Sequence, residues 1–173
     1  PPRSSLDLWK GAFPWVSPKD MKQALISDSE EHLSNEGRKA ATEVGPNSLL
    51  IVVRGMILAH SFPVGITQRT VAFNQDIKAL IPSGAFSVKY LFQWFKWATP
   101  KILGRMSESS HGTKRLATDD LFEMKIPAPS AKEQSDLVAQ IETIESAQSQ
   151  ILHVVNDLNR LRQTLSDQVF HSR

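Results

Sequence analysis

The last quarter of the sequence constrains the fold most. No Gly or Pro occurs from residue 131 to residue 173. Leu137, Ile141, Ile144, Ile151, Val155 and Leu158 recur in steps of three, four or seven. Ile151, Val154, Leu158, Leu161 and Leu165 alternate strictly by three and four. Such spacing puts apolar side chains on one face of an α-helix. A helix of roughly 40 residues is about 60 Å long at 1.5 Å per residue. One small domain cannot cover a stripe of that length, so the helix requires a partner helix, as in a coiled coil or bundle. Gln148 and Arg162 fall near the seam, where polar side chains set register and partner choice.

The remaining residues suffice for one compact domain. There is no cysteine, which excludes disulfides and thiolate chemistry. The longest apolar runs, such as Ser48–Val53, are too short to span a bilayer, and the N-terminus carries no signal-peptide core. The first residue is not an initiator Met, so a fragment or a processed chain is expected. The net charge of +2 conceals an asymmetry. Residues 45–118 hold nine Lys/Arg against two Asp/Glu, a surplus of seven positive charges. Residues 131–173 hold four against six and are mildly acidic. A basic body suggests a polyanionic partner, since Lys and Arg displace counterions from phosphates.

Residues 13–21 read as a short strand leading into a loop with a basic edge. Residues 27–41 read as a short exposed helix stopped near Gly37, or a structured loop. Residues 48–53 are a buried strand, and Gly55 and Phe62-Pro63 divide the next stretch of chain into further strands. Residues 70–82 read as a strand pair or a bent strand. Residues 87–98 predict a helix with Ser87 as N-cap, interrupted soon after at Pro100. Its aromatic side chains are expected in the core rather than on a base-stacking platform. A loop at 107–116, a short helix over residues 118–122 capped by Thr118 and a strand at 124–129 complete the body.

Catalytic patterns are scarce. The sequence has no Gly-x-Gly-x-x-Gly, no phosphate-loop glycine-lysine pattern and no Asn-Pro-Pro-aromatic tetrapeptide. Its five histidines lack zinc-site spacing, and no cofactor is expected. Glu123-Met124-Lys125 resembles a fragment of a metal-dependent nuclease site, with Asp76, Asp119 and Asp120 as further carboxylates. Such tripeptides are frequent by chance. Binding chemistry is better represented. Gly112 can bring backbone close to a phosphate, beside Thr113, Lys114 and Arg115. Arg54-Gly55 and Gln68-Arg69 have the same character at strand ends. Lys19, Lys22, His60 and His111 stand behind them as candidates for DNA contact.

These residues carry a resemblance. The segments Phe13–Met21, Val52–Thr67, Ala72–Pro82 and Ser109–Gln134, with the helix behind them, resemble half of the DNA-specificity subunit of type I restriction–modification systems. The Gly-Thr-x-Arg-Leu stretch followed by Ile-Pro-x-Pro and Glu-Gln is specific in combination. The resemblance implies a non-catalytic subunit in which a target-recognition domain is joined to a long helix of the conserved region. A full subunit carries two of each, reads the two halves of a split target, and binds methyltransferase subunits and, through them, the restriction subunit. One domain and one helix imply a natural half-subunit or a piece of a longer chain. The resemblance further implies a prokaryotic, cytoplasmic protein.

The expected fold is therefore α+β. A target-recognition domain over residues 1–129 has a mostly antiparallel or mixed β core and short helices. Residues 130–173 form the long helix for dimerisation, spacing and methyltransferase binding. Double-stranded DNA is the expected ligand. An antiparallel homodimer, or pairing with a second half-subunit, is the expected assembly. A magnesium-dependent nuclease on Glu123 and Lys125 and a protein-binding helical scaffold are the alternatives.

Overall fold

A computed structural model of the chain describes residues 1–108 and 113–171. The strands and helices in order are β1 (Phe13–Val16), β2 (Leu25–Ile26), β3 (Glu31–Leu33), α1 (Asn35–Lys39), β4 (Glu43–Val44), β5 (Leu49–Val52), β6 (Arg54–Gly55), β7 (Val64–Thr67), β8 (Val71–Phe73), β9 (Ile77–Leu80), α2 (Val88–Leu103), β10 (Ser107–Glu108), β11 (Lys114–Arg115), α3 (Thr118–Phe122) and α4 (Ala131–His171). One-turn 3-10 helices lie at Leu6–Leu8 and Met56–Ala59. This is the expected α+β class with mixed sheets. The chain divides into two compact units, Pro1–Ala131 and Lys132–Arg173.

Three small sheets build the first unit. One has the order β3-β1-β8-β4, with β1 and β8 parallel. A second has the order β2-β7-β5-β9, with β2 and β7 parallel and β5 antiparallel to both neighbours. The third, β10-β11-β6, is antiparallel. The aliphatic run of β5 is fully buried because β5 is a central strand and α2 packs over it and β7. Val16, Val44 and Val71 of the first sheet join the same core as Leu49–Val52, Phe95 and Ile102. Along β1 the period of two sends neighbouring residues to opposite faces. Val16 enters this main core, and Trp15 enters a smaller cluster with Leu33 and Ala72. Over that cluster the Arg3 guanidinium sits 4.2 Å from the Trp9 ring centroid and pairs with Glu31, whose carboxyl it holds below the usual range.

Several expectations are corrected. Residues 27–41 are not one helix or loop: they form β3, then α1 with Ser34 as N-cap. Gly37 does not stop the helix but lies inside it. An added Cβ there would be 2.1 Å from the Leu8 carbonyl oxygen, so close backbone approach selects glycine. Gly37→Ala is therefore expected to destabilise the unit by about 1–3 kcal/mol despite the better helix propensity of alanine. Urea unfolding would register it as a lower midpoint, and a raised midpoint would refute the clash. Residues 70–82 are two strands that do not pair with each other, since β8 and β9 belong to different sheets.

Pro100 does not end α2, although it supplies no N–H to the ladder. The helix continues to Leu103, and the Gly104 amide closes on the Pro100 carbonyl at 3.1 Å. Ser87 caps the helix as expected, its hydroxyl oxygen accepting from the Tyr90 amide. Phe95 is buried, in keeping with the core reading of the aromatics, but Trp97 is exposed. Lys114 and Arg115 lie in a strand rather than a loop. Ala117, not Thr118, occupies the N-cap of α3. No strand forms at 124–129, because Pro127 and Pro129 cannot donate to a ladder. That segment is held by the Tyr90 hydroxyl, which donates to the Pro127 carbonyl at 2.9 Å.

The second unit is the 41-residue helix α4. Ile144, Ile151, Val154, Val155, Leu158, Leu161 and Leu165 are exposed along it, as is Leu137, while Ile141 is half-buried. Lys132 pairs with Asp136 at 2.8 Å and Arg160 with Asp157 at 3.7 Å, which supports the helix locally. No described helix is long and apolar enough to cross a membrane.

Candidate nucleic-acid interface

The basic candidates separate into two groups, because β5 and β7 run antiparallel. The chain leaves β5 at Val52 and enters β6 at Arg54, at the end where Ile51 faces Val64. Gln68 and Arg69 follow the other end of β7, where Ile66 faces Leu49. Arg54 and Arg69, alike in sequence character, therefore emerge at opposite ends of one sheet.

The first group is built on the small antiparallel sheet. In the register of β6 and β11, Arg54 faces Arg115 and Gly55 faces Lys114. Residues directly opposite in such a pair project to one face with Cβ atoms about 5 Å apart, and like charges there are unfavourable. Arg54 has Asp76 at 4.0 Å, a long contact between an exposed guanidinium and a half-buried carboxylate. The rung stays in place because its base is anchored. The Leu116 amide donates to the Val53 carbonyl at 2.9 Å, and Val53, Leu58 and Leu116 belong to the main core. Gly55 has φ +145°, a conformation that side-chain-bearing residues rarely adopt. It lets the chain turn from β6 directly into the Met56–Ala59 turn, which His60 caps. Thr113 precedes the strand. His111 and Gly112, named from the sequence, lie outside the described residues.

The second group is electrically mixed. Lys19 and Lys22 line a shallow cleft with Asp20, Asp28 and Glu30. Arg69 contributes to holding the Asp28 carboxyl below its usual range, behind the larger effects of the hydrogen bonds from His32 and the Ser29 backbone. Asp20 is structural: its carboxylate accepts from the Ser17 amide, the Ser17 hydroxyl and the Glu30 amide. Lys19, Lys22 and Arg69 thus lie among Asp20, Asp28 and Glu30, whereas the other group sets Arg54 directly opposite Arg115, with Asp76 at 4.0 Å from Arg54 and Glu108 opposite Lys114 in the register of β10 and β11.

Glu123 and Lys125 do not lie on a strand. Glu123 caps the C-terminus of α3, and both residues line a cleft of about 310 Å³ with Trp94, Trp97, Lys101 and Arg105. Glu123 is the sole carboxylate among the described residues lining it. Among the described residues no three His, Asp or Glu side chains converge as a metal site would require. Sequence reasoning missed this aromatic and cationic cleft, because Trp97 and Lys125 are far apart in the chain. It also missed Met56, whose exposure no local pattern announces.

Comparison with known proteins decides the family. The model of the type I restriction modification DNA specificity domain matches residues 1–163. The chain belongs to this family. It is 30% identical over 154 residues to the type I restriction enzyme EcoR124I/EcoR124II specificity subunit of Escherichia coli, covering 87% of this chain and 38% of that protein. It is 28% identical over 138 residues to the type I restriction enzyme MjaIX specificity subunit of Methanocaldococcus jannaschii, covering 76% of this chain and 31% of the relative. The chain thus spans between three and four tenths of the length of these two relatives. Among solved structures, the HsdS subunit from Thermoanaerobacter tengcongensis matches with a TM-score of 0.68 at 19% identity, over 98% of this chain and 40% of that one. A chain solved in work on complex assembly and conformational transition of the type I R-M system matches with a TM-score of 0.72, also at 19% identity, over 98% of this chain and 41% of that one. At such identity these two likenesses establish the fold.

Proposed function

We propose that this chain recognises duplex DNA as half of a type I specificity subunit. In this reading it catalyses nothing itself, acts in the cytoplasm, and directs methyltransferase subunits, and through them the restriction subunit, to one half of a split target. The residues before 130 form the reader, and the helix sets the distance to a second reader and holds the methyltransferase. The observation that carries the DNA reading is the Arg54–Arg115 rung. A protein gains nothing in stability from two guanidinium groups facing each other across a short ladder. It gains a site for phosphate or for the acceptor edge of guanine. Membership of the specificity-domain family supports the same ligand.

The test is a salt titration of binding to a mixed-sequence 30-base-pair duplex by fluorescence anisotropy. If Arg54, Lys114 and Arg115 each neutralise one phosphate, the logarithmic slope is about −2.7, and binding weakens roughly 40-fold between 50 and 200 mM salt. With magnesium added the duplex should stay intact. Cleavage that vanishes in Glu123→Ala would replace this reading with the nuclease. Salt-independent binding would remove the electrostatic surface.

A further inference from the structure

We infer that Met56, with Ile57 beside it, is a specificity-determining contact that reads thymine methyl groups in the major groove next to the bases faced by Arg54 and Arg115. The inference rests on the DNA reading proposed above. Met56 is 73% exposed and Ile57 39% exposed, while Leu58, the next residue, is fully buried. A one-turn helix with so buried an anchor is not a loose tip that happens to carry apolar residues. The turn packs against β11, and Leu116, which follows Arg115, is 2% exposed. Two aliphatic side chains are thus presented to water beside a cationic rung, on a support fixed from below.

Charge complementarity selects the occupant. An apolar protein partner would find Arg54, Lys114 and Arg115 at the edge of the contact and would have to desolvate them. A DNA groove meets both chemistries at once. Its phosphates and guanine N7 and O6 accept from Arg, and the thymine C5-methyl is the apolar group that the major groove displays. Gly55 contributes by its backbone: at φ +145° it brings Met56 two residues after Arg54 without a longer loop between them.

The experiment uses the full chain. Duplexes that it enriches from a randomised 30-base-pair pool are remade with uracil in place of thymine, which removes only the methyl groups. The parent should bind the uracil duplex about fourfold more weakly for each methyl that it contacts. Met56→Gln should bind the two duplexes alike, at unchanged melting temperature, because the side chain is exposed. Met56→Leu should keep the discrimination. Equal binding of the thymine and uracil forms by the parent overturns the inference. An equal uracil penalty in the parent and in Met56→Gln also overturns it, since the methyl is then read elsewhere. Failure of the chain to bind any duplex overturns the DNA reading itself and this inference with it, whereas salt-dependent binding without methyl discrimination overturns this inference alone.

Discussion

Replacing Arg54 and Arg115 together by alanine is expected to weaken duplex binding at least thirtyfold while leaving the fold as stable as before. Each guanidinium that reaches a guanine edge is worth about 1–3 kcal/mol, so losing both costs about 2 kcal/mol or more, which is roughly thirtyfold. If the two groups bind phosphate instead, the salt slope should fall by about 1.8. Stability moves little for two reasons of opposite sign. Removing like charges from opposed positions stabilises by a few tenths of a kcal/mol, about 0.2–1 at most. Removing the 4.0 Å contact of Arg54 with Asp76 costs about as much or less, since the guanidinium is mostly solvated. Loss of binding without loss of stability separates a functional rung from a structural one. Arg69→Ala serves as the control, because it lies at the far end of β7, away from the rung. If the double variant binds as the parent does at matched salt, while Arg69→Ala weakens binding, the DNA face is at the other end of the sheet.

The comparison of sequence with structure divides by the length of the signal. α4 is legible because its apolar period persists over many turns, and β5 because a fully buried central strand is a continuous aliphatic run. α2 is legible at its cap, Ser87, and illegible at its end, where Pro100 is tolerated in the last turn. The three-stranded sheet is illegible. Strands of two residues have no period, and Lys114-Arg115 becomes a strand because β10 and β6 offer it partners on its two sides. That pairing decides the candidate interface. Arg54, Lys114 and Arg115 can each be named from the sequence as exposed cations, but their convergence depends on contacts about sixty residues apart. The separation of Arg69 from them depends equally on the strand direction of β7. Gly37 shows the same limit from the other side: its role is set by the Leu8 carbonyl, which no local window contains. Met56 is the sharpest case. The segment Met56–Ala59 is apolar throughout, and burial of Leu58 with exposure of Met56 arises only from how the turn packs on β11.

The helix carries the remaining large effect. Placing Asp at Ile151 and Leu158 should convert a dimer into monomers and abolish capture of the methyltransferase. Both side chains are exposed on α4, together with Val154, Leu161 and Leu165 on the same three-four stripe. Covering a large aliphatic side chain stabilises an assembly by about 1.5–3 kcal/mol, and five such residues far exceed what ordinary solvated surface would leave uncovered. The occupant we propose is the same helix of a second copy, running antiparallel, so that two readers meet the two halves of a target. Helix length would then set the distance between half-sites. Pairing also makes the second half-site encounter intramolecular, so a duplex with two correctly spaced half-sites should bind the parent roughly 10²–10⁴-fold more tightly than a duplex with one. The Asp variant should lose this gain while keeping weak half-site binding and the unfolding midpoint of the reader. Sedimentation velocity at tens of micromolar reads the assembly directly. A monomeric parent chain would exclude self-pairing and assign the stripe to a companion half-subunit or to the methyltransferase, whose addition should then shift the parent but not the Asp variant.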